Sequence, residues 1–283
     1  MTTYRSLLVH LDDRERCSAR VEYAVRLAAR LDAHLVGLAP TGVLDLPLEV
    51  GPGLLGIDTT TTLLAALRRT ADERAVRFRE QCGALGAKSF EAVVDDGESV
   101  ASIVTHGRCS DLVILGQAEP SSTGAVTARA QALVERVVLQ NARPTLLVPY
   151  AGRFDSLGDN VLVAWNDSKE SARAVGDALP LLQKAQQVHL MHCDTPAAAG
   201  DAGMRARLEA LHRWLLWHGV EASLHVEPTQ IDVGDTLMSR AADLGADLLV
   251  MGAYGHSRWA ERVMGGATRE VLRQMTLPVL MSH

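Results

Sequence analysis

The feature of this sequence that most constrains its fold is an internal repeat. Four short motifs of the first half return in the same order in the second half, about 135 to 155 positions later. The pairs are SLLVHLDD and NVLVAWND (6–13 and 160–167), DAHLVGLAP and QQVHLMHCD (32–40 and 186–194), SDLVILG and ADLLVMG (110–116 and 246–252), and ARPTLLVPY and TLPVLMSH (142–150 and 276–283). Such a recurrence predicts two copies of one domain. We therefore expect one domain over 1–150, a linker rich in Gly, Asp and Ser over 151–160, and a second domain over 161–283.

Short apolar runs alternate with helical periodicity in both halves. After the first run of each half, apolar residues recur at helical spacing: Val21, Ala24, Leu27, Ala28 and Leu31, and then Ala172, Val175, Ala178, Leu179 and Leu182. Apolar strands that alternate with helices form parallel sheets covered by helices on both faces. With right-handed crossovers, the pattern predicts an α/β fold of two tandem, doubly wound, open parallel sheets.

The same periodicity sets the approximate bounds of the other elements. Further strands are expected at 90–94 and 223–227, and each half closes on a short strand, at 145–149 or 278–282. Helices are expected near 62–86, 98–108, 127–141, 203–218, 234–244 and 266–275. Asp167 and Glu170 have the spacing of a capping box at the start of the helix after 160–167. Trp214 and Trp217 are expected on the buried side of their helix.

Composition excludes several classes of protein. The formal net charge is −6, and no basic tract indicates a nucleic-acid partner. The scattered Cys17, Cys82, Cys109 and Cys193 are typical of free thiols in a reducing compartment. No apolar run reaches membrane-spanning length, and the first residues lack the apolar stretch of a signal peptide. We expect a soluble cytoplasmic protein with no membrane partner and no bound metal, since the histidines have poor metal-ligand spacing.

A glycine-rich stretch follows the apolar run that ends at residue 252. Two residues separate Gly252 from Gly255, nine residues separate Gly255 from Gly265, and Gly266 follows directly. Ligands of doubly wound sheets bind beyond the carboxyl ends of the strands, where this stretch would lie. Glycines let the backbone approach a ligand, and the helix that begins near 266 offers free N–H groups to phosphate. The spacing matches neither common phosphate-loop motif, so a simple connecting loop is the alternative.

These motifs resemble the universal stress protein family. Its signature is G-x-x-G, nine residues and G-[S/T], and the first of these glycines ends a strand that reads D-[LI]-[IV]-V-M-G. The segment DLLVMGAYGHSRWAERVMGG (247–266) follows this signature, except that Gly266 replaces the Ser or Thr. The resemblance extends to LPVLM near the end of the chain and covers both halves. It implies a Rossmann-like fold of the adenine nucleotide alpha hydrolase type and a role in stress responses.

The resemblance also implies a nucleotide site in the second half. The expected ligand is ATP, with or without Mg²⁺. Asn166 stands where the family has an acidic residue that contacts the nucleoside, the backbone at Cys193 reads the adenine edge, and Met251 lies near the ribose. The loop residues expected to hold the phosphates are Gly252, Gly255, His256, Ser257, Gly265 and Gly266. The last strands of the two domains are expected to pair within the chain, and a dimer of whole chains is compatible with the family.

The first half departs from the family signature. Asp12 is retained, but Glu119 occupies the second glycine position, and a carboxylate there would repel a triphosphate. We therefore expect a degenerate first domain that binds no ATP. No general base is evident, so any ATP hydrolysis is expected to be slow. Two alternatives remain open: a scaffold protein that binds no nucleotide, and a sensor that holds an apolar ligand under the insertion 42–62 of the first domain.

Overall fold

The computed structural model describes residues 3–42, 57–119, 124–195, 203–229, 231–255 and 266–283. Its backbone divides into two compact units, Tyr4–Gly116 and Gln117–His283. Among the described residues, no helix is both long and apolar enough to cross a membrane. His256, Ser257 and Gly265, which the sequence places in the glycine loop, lie outside the described residues.

The first unit is a parallel sheet with its helices in the crossovers. The chain runs through β1 (Ser6–His10), α1 (Cys17–Leu31), β2 (His34–Pro40), α2 (Ile57–Ala84), β3 (Phe90–Asp95), α3 (Ser99–Gly107) and β4 (Leu112–Gly116). The strand order is β3-β2-β1-β4, and every pairing is parallel. Because β1 lies beside β2 and β4, the strand order reverses at the carboxyl end of β1.

The second unit repeats this plan and adds one strand from the first half of the sequence. Its elements are α4 (Gly124–Gln140), β5 (Thr145–Val148), β6 (Asn160–Ala164), α5 (Lys169–Leu182), β7 (Gln187–Asp194), α6 (Met204–Trp217), β8 (Ser223–Pro228), α7 (Val233–Asp243), β9 (Leu248–Gly252), α8 (Gly266–Gln274) and β10 (Val279–Ser282). The strand order is β5-β10-β9-β6-β7-β8. Here β6 lies between β7 and β9, so the switch point is at its carboxyl end. The predicted α/β class with parallel sheets is confirmed.

The last strands of the two sequence repeats pair with each other. β5 and β10 are antiparallel, with Leu146 opposite Leu280. Arg173 of α5 joins both strand regions, since it donates to the carbonyl oxygens of His283 (2.9 Å) and Ala142 (2.6 Å). The predicted intramolecular pairing is confirmed. Because β5 pairs with β10, α4 and β5 belong to the second compact unit. The predicted boundaries 1–150, 151–160 and 161–283 follow the sequence repeat instead.

The core of each sheet is made of aliphatic side chains on both faces of the strands. Val9, Ile114, Leu162, Val250 and Leu280 are all fully buried. Strands that are covered on both faces need such continuous apolar runs, which is why the runs were visible in the sequence. The expected burial of Trp217 is wrong: its side chain is 80% exposed, and the buried face of α6 is formed by Leu208 and Leu215.

Two local expectations are corrected. Ser168, not Asp167, caps α5: its hydroxyl accepts from the Ser171 backbone N–H at 3.1 Å, and Ser171 completes the capping box. Asp167 takes a left-handed conformation (φ 59°), and its carboxylate pairs with Arg207 at 2.6 Å. The insertion expected as a loop over 42–62 is helical from Ile57 onwards, and its residues 43–56 lie outside the described residues.

Candidate functional site

A cavity of about 450 Å³ opens at the carboxyl ends of β6, β7 and β9. It lies at the switch point of the second unit, where ligands of such sheets bind. Its described lining comes from these strand ends and from α6, α7 and α8: Ala164, Trp165, Asn166, Met191, His192, Cys193, Thr195, Met204, Val233, Leu237, Met251, Gly252, Gly255, Ala267 and Thr268. The lining is largely apolar with a few polar groups, which is typical of small-molecule sites.

The structure brings five of the predicted site residues together around this cavity. Asn166, Cys193, Met251, Gly252 and Gly255 all line it. Gly266 is the first residue of α8, directly before the lining residues Ala267 and Thr268. Each of these positions lies within or shortly after the carboxyl end of an apolar strand, or at the start of the following helix, and carboxyl ends of parallel strands meet at one edge of a sheet.

Two polar side chains of the cavity have defined hydrogen bonds. The Asn166 Oδ1 accepts from the Ser168 backbone N–H at 3.3 Å. Within the described part of the chain the Asn166 side-chain nitrogen has no acceptor, so it can donate to a ligand. His192 is buried, and its Nδ1 donates to the Trp165 carbonyl oxygen at 2.9 Å. This bond makes Nε2 the acceptor of a neutral His192 ring. The polar groups at this end of the sheet therefore include both donors and acceptors.

Thr268 is a site residue whose role sequence reasoning missed. It is buried in the first turn of α8, and its Oγ1 accepts from the Tyr254 backbone N–H at 3.1 Å. Tyr254 has φ 55°, an unusual conformation for a bulky residue, so this bond helps to hold a strained turn. Among the described residues no acceptor binds the Thr268 hydroxyl proton, so this proton can be offered to a ligand. A hydroxyl is thus present two positions after Gly266.

Close packing also explains part of the glycine pattern. A Cβ on Gly252 would lie 2.5 Å from the Ser171 backbone nitrogen, and a Cβ on Gly255 would lie 3.0 Å from Glu170 Oε2. Both glycines therefore let the start of α5 approach the end of β9. Gly116 has the same position in the first unit, where a Cβ would collide with the Arg20 guanidinium. Gly252 is consequently required by the fold whether or not a ligand binds.

The variant Gly252→Ala is expected to lower the free energy of unfolding of the second unit by about 2 kcal/mol, because the new methyl group meets rigid backbone. Gly176→Ala is the matched control. Gly176 is exposed in α5 with no heavy atom near its Cβ position, so alanine should stabilise by up to about 1 kcal/mol. Urea unfolding measures both. A neutral Gly252→Ala variant would contradict the packing role.

The corresponding strand end of the first unit is filled by Arg20. Its guanidinium is buried and donates to the His10 carbonyl oxygen (Nε 3.1 Å, Nη2 3.0 Å) and to Asp12 Oδ1 (2.9 Å). Burial by itself raises the pKa of Asp12, but Arg20, His10 and Arg14 outweigh it and lower that pKa to about 2. The acidic residue that the family resemblance assigns to a nucleoside is therefore already paired within the protein.

A larger cleft of about 800 Å³ lies between α1 and α2 of the first unit. Its walls carry ion pairs rather than a continuous apolar surface: Asp13 pairs with Arg74, and with Arg77 at 3.5 Å. This charged lining does not favour the apolar ligand considered for the first domain. The smaller cavity is the better candidate for a ligand site, because it lies at the switch point where folds of this kind bind ligands.

The fold and the cavity together define a doubly wound α/β protein with a small-molecule site at a sheet switch point. Comparison with known proteins identifies a family domain in the second half of the chain. Residues 158–283 match the model of the Universal stress protein family. This part of the second unit is therefore a universal stress protein domain, as the resemblance predicted.

Solved structures match almost the whole chain. The crystal structure of a universal stress protein from Archaeoglobus fulgidus DSM 4304 has a TM-score of 0.75 at 18% identity and covers 99% of this chain and 96% of its own. A putative universal stress protein from Pseudomonas aeruginosa UCBPP-PA14 has a TM-score of 0.59 at 17% identity, covering 99% and 93%. A functionally unknown protein from Pseudomonas aeruginosa PAO1 has 0.58 at 16%, covering 99% and 92%. No curated protein sequence matches the chain. At these identities the likeness establishes the fold, over both repeats.

Proposed function

We propose that the cavity of the second unit binds an adenine nucleotide and that the protein acts in stress responses through this binding. ATP is the form that the family resemblance implies. The observation that carries the proposal is the convergence of Asn166, Cys193, Met251, Gly255 and the start of α8 on one cavity at the switch point. The family resemblance assigns these same positions to the nucleotide.

The apolar part of the cavity suits a purine base. Met191 and Met204, from β7 and α6, and Leu237 from α7 provide adaptable apolar contacts. The backbone at Cys193 supplies hydrogen-bonding groups for the edge of the base, since β7 ends beside it. The cavity volume of about 450 Å³ lies within the usual range of ligand sites, about 300 to 1,000 Å³. We assign the adenine to this apolar side.

The polar part suits a ribose and a phosphate. Asn166 and the backbone at Met251 are the groups proposed for the ribose. The free N–H groups at the start of α8 and the positive end of its dipole favour an anion. Thr268 adds a hydroxyl donor in the first helical turn, which offers a substitute for the Ser or Thr absent at Gly266.

Calorimetric titration of the full chain with ATP and Mg²⁺ tests the proposal. We expect binding in the wild type, at least tenfold weaker binding in Thr268→Val, and retained binding in Thr268→Ser, which keeps the hydroxyl. Thr70→Val, a helix threonine of the other unit whose hydroxyl bonds the Ala66 carbonyl oxygen, is the control. An absence of binding to any adenine nucleotide would support the scaffold alternative instead.

We propose a binding role rather than rapid catalysis. The described lining of the cavity contains no carboxylate that could act as general base. Any ATP hydrolysis should therefore stay below about one turnover per second, the lower end of typical enzymes. A phosphate-release assay at saturating ATP measures this rate, and a faster rate would contradict the binding role.

A further inference from the structure

Glu170 is a buried carboxylate whose role in the site is not explained by the capping of α5. It is the second residue of α5 and only 2% exposed. Its Oε1 has no hydrogen-bond partner within the described part of the chain. Lys169 Nζ lies 3.4 Å from this oxygen, but the lysine side chain is 80% exposed and so only a loosely held, solvated counter-charge. Glu170 thus places a buried charge beside the site with a counter-charge that faces solvent.

The carboxylate lies directly beneath the glycine turn of the cavity. Glu170 Oε2 is 3.0 Å from the position that a Cβ of Gly255 would occupy, and Ser168 Oγ is 3.3 Å from the same point. Gly255 itself lines the cavity. A ligand phosphate held at this turn would therefore lie close to the Glu170 carboxylate.

The charge of Glu170 is present at neutral pH and meets no opposite charge among the described residues that line the cavity. Burial by itself raises the pKa of Glu170, but its own backbone N–H, Ser168 and Lys169 outweigh this and bring the pKa below its usual value. Among the lining residues that the structure describes, none is a lysine or an arginine. Within this described lining, the attraction for an anion comes from the start of α8, which carries only about half an elementary charge.

We propose that Glu170 makes the cavity selective for the charge of its ligand. Adenosine or a nucleoside monophosphate binds readily, free ATP is disfavoured, and ATP binds mainly when Mg²⁺ neutralises part of its phosphate charge. This selectivity rests on the proposed adenine-nucleotide function. Like charges repel strongly across a poorly hydrated separation of a few ångströms, so a discrimination of tenfold or more is expected.

Glu170→Gln tests the proposal with little change of shape. In calorimetric titrations of the full chain, we expect the wild type to bind AMP at least tenfold more tightly than ATP in EDTA, and to bind ATP at least tenfold more tightly when Mg²⁺ is added. Glu170→Gln should bind ATP in EDTA at least tenfold more tightly than the wild type, while its affinity for adenosine stays within twofold.

Asp243→Asn is the matched control, because it removes an acidic charge from the same unit at the far end of α7, where Asp243 pairs with Arg240 at 3.4 Å. It should behave as the wild type. If AMP binds but Glu170→Gln leaves the ratio of ATP to AMP affinity unchanged, the role of Glu170 is wrong while the proposed function stands. If neither adenosine nor AMP binds, the proposed function fails first. If Glu170→Gln fails to fold, the ATP affinity of the wild type with and without Mg²⁺ still tests the proposal.

Discussion

The variant Arg20→Met is expected to lower the free energy of unfolding of the first unit by about 3 kcal/mol or more. The Arg20 side chain is almost fully buried and makes hydrogen bonds to both Asp12 and the end of β1. Methionine fills similar space but leaves Asp12 without its 2.9 Å partner. Arg14, whose Nε lies 3.8 Å from Asp12 Oδ2, compensates only in part.

A double variant separates charge from packing. Arg20→Met combined with Asp12→Asn removes both charges, and we expect it to recover more than half of the lost free energy. Arg69→Met, which changes an exposed arginine of α2, is the control and should stay within about 0.5 kcal/mol of the wild type. Urea unfolding measures all three variants. A loss below about 1 kcal/mol for Arg20→Met would show that Arg20 is not the counter-ion that fills this strand end.

Acidification from pH 7 to pH 4 is expected to cost the first unit about 3 kcal/mol through His10 alone. Burial lowers the pKa of His10 from 6.5 to about 4, with Asp12 opposing and Arg20 adding to this shift. Between these two values the unfolded chain binds a proton that the folded unit does not. Stability is therefore complete above pH 6.5 and falls as the pH decreases towards 4.

Asp12 adds a separate loss at lower pH. Its pKa is about 2 in the folded unit against an ordinary value of 3.8, so its contribution to stability is present above pH 3.8 and is lost as the pH falls through 2.

Unfolding free energies of the wild type and His10→Gln, measured from pH 7 to 4, isolate the contribution of the histidine. Their difference should change by about 3 kcal/mol. His34→Gln removes a more exposed histidine of the same sheet, and an equal change in that variant would contradict the assignment to His10.

The fold was largely predictable because its determinants are local and repeated. Apolar strands, helical periodicity and the recurrence of four motifs indicated parallel sheets, and the pairing of β5 with β10 followed from the final strands. Asn166, Cys193 and Met251 line the cavity, and the sequence could point to them because each lies close to the carboxyl end of a strand. Their contact with a nucleotide is still a prediction.

The contacts of individual polar side chains were not predictable from the sequence. The burial of Arg20 against Gly116, the position of Glu170 beneath Gly255 and the bond from Tyr254 to Thr268 all join residues far apart in the chain. Periodicity carries no information on such contacts. The glycine pattern illustrates this limit. Gly252 and Gly116 both leave no room for a Cβ, although the first unit lacks the remaining glycines of the loop.

A crystal structure of the full chain with AMP is the decisive test of the proposed nucleotide site. We expect one nucleotide per chain in the cavity of the second unit, with the base near Cys193, the ribose near Asn166 and the phosphate at the start of α8. We also expect Arg20 to remain bound to Asp12 in the first unit. A nucleotide at the carboxyl ends of β1 and β4, or none in the cavity at saturating concentration, would contradict the proposed site.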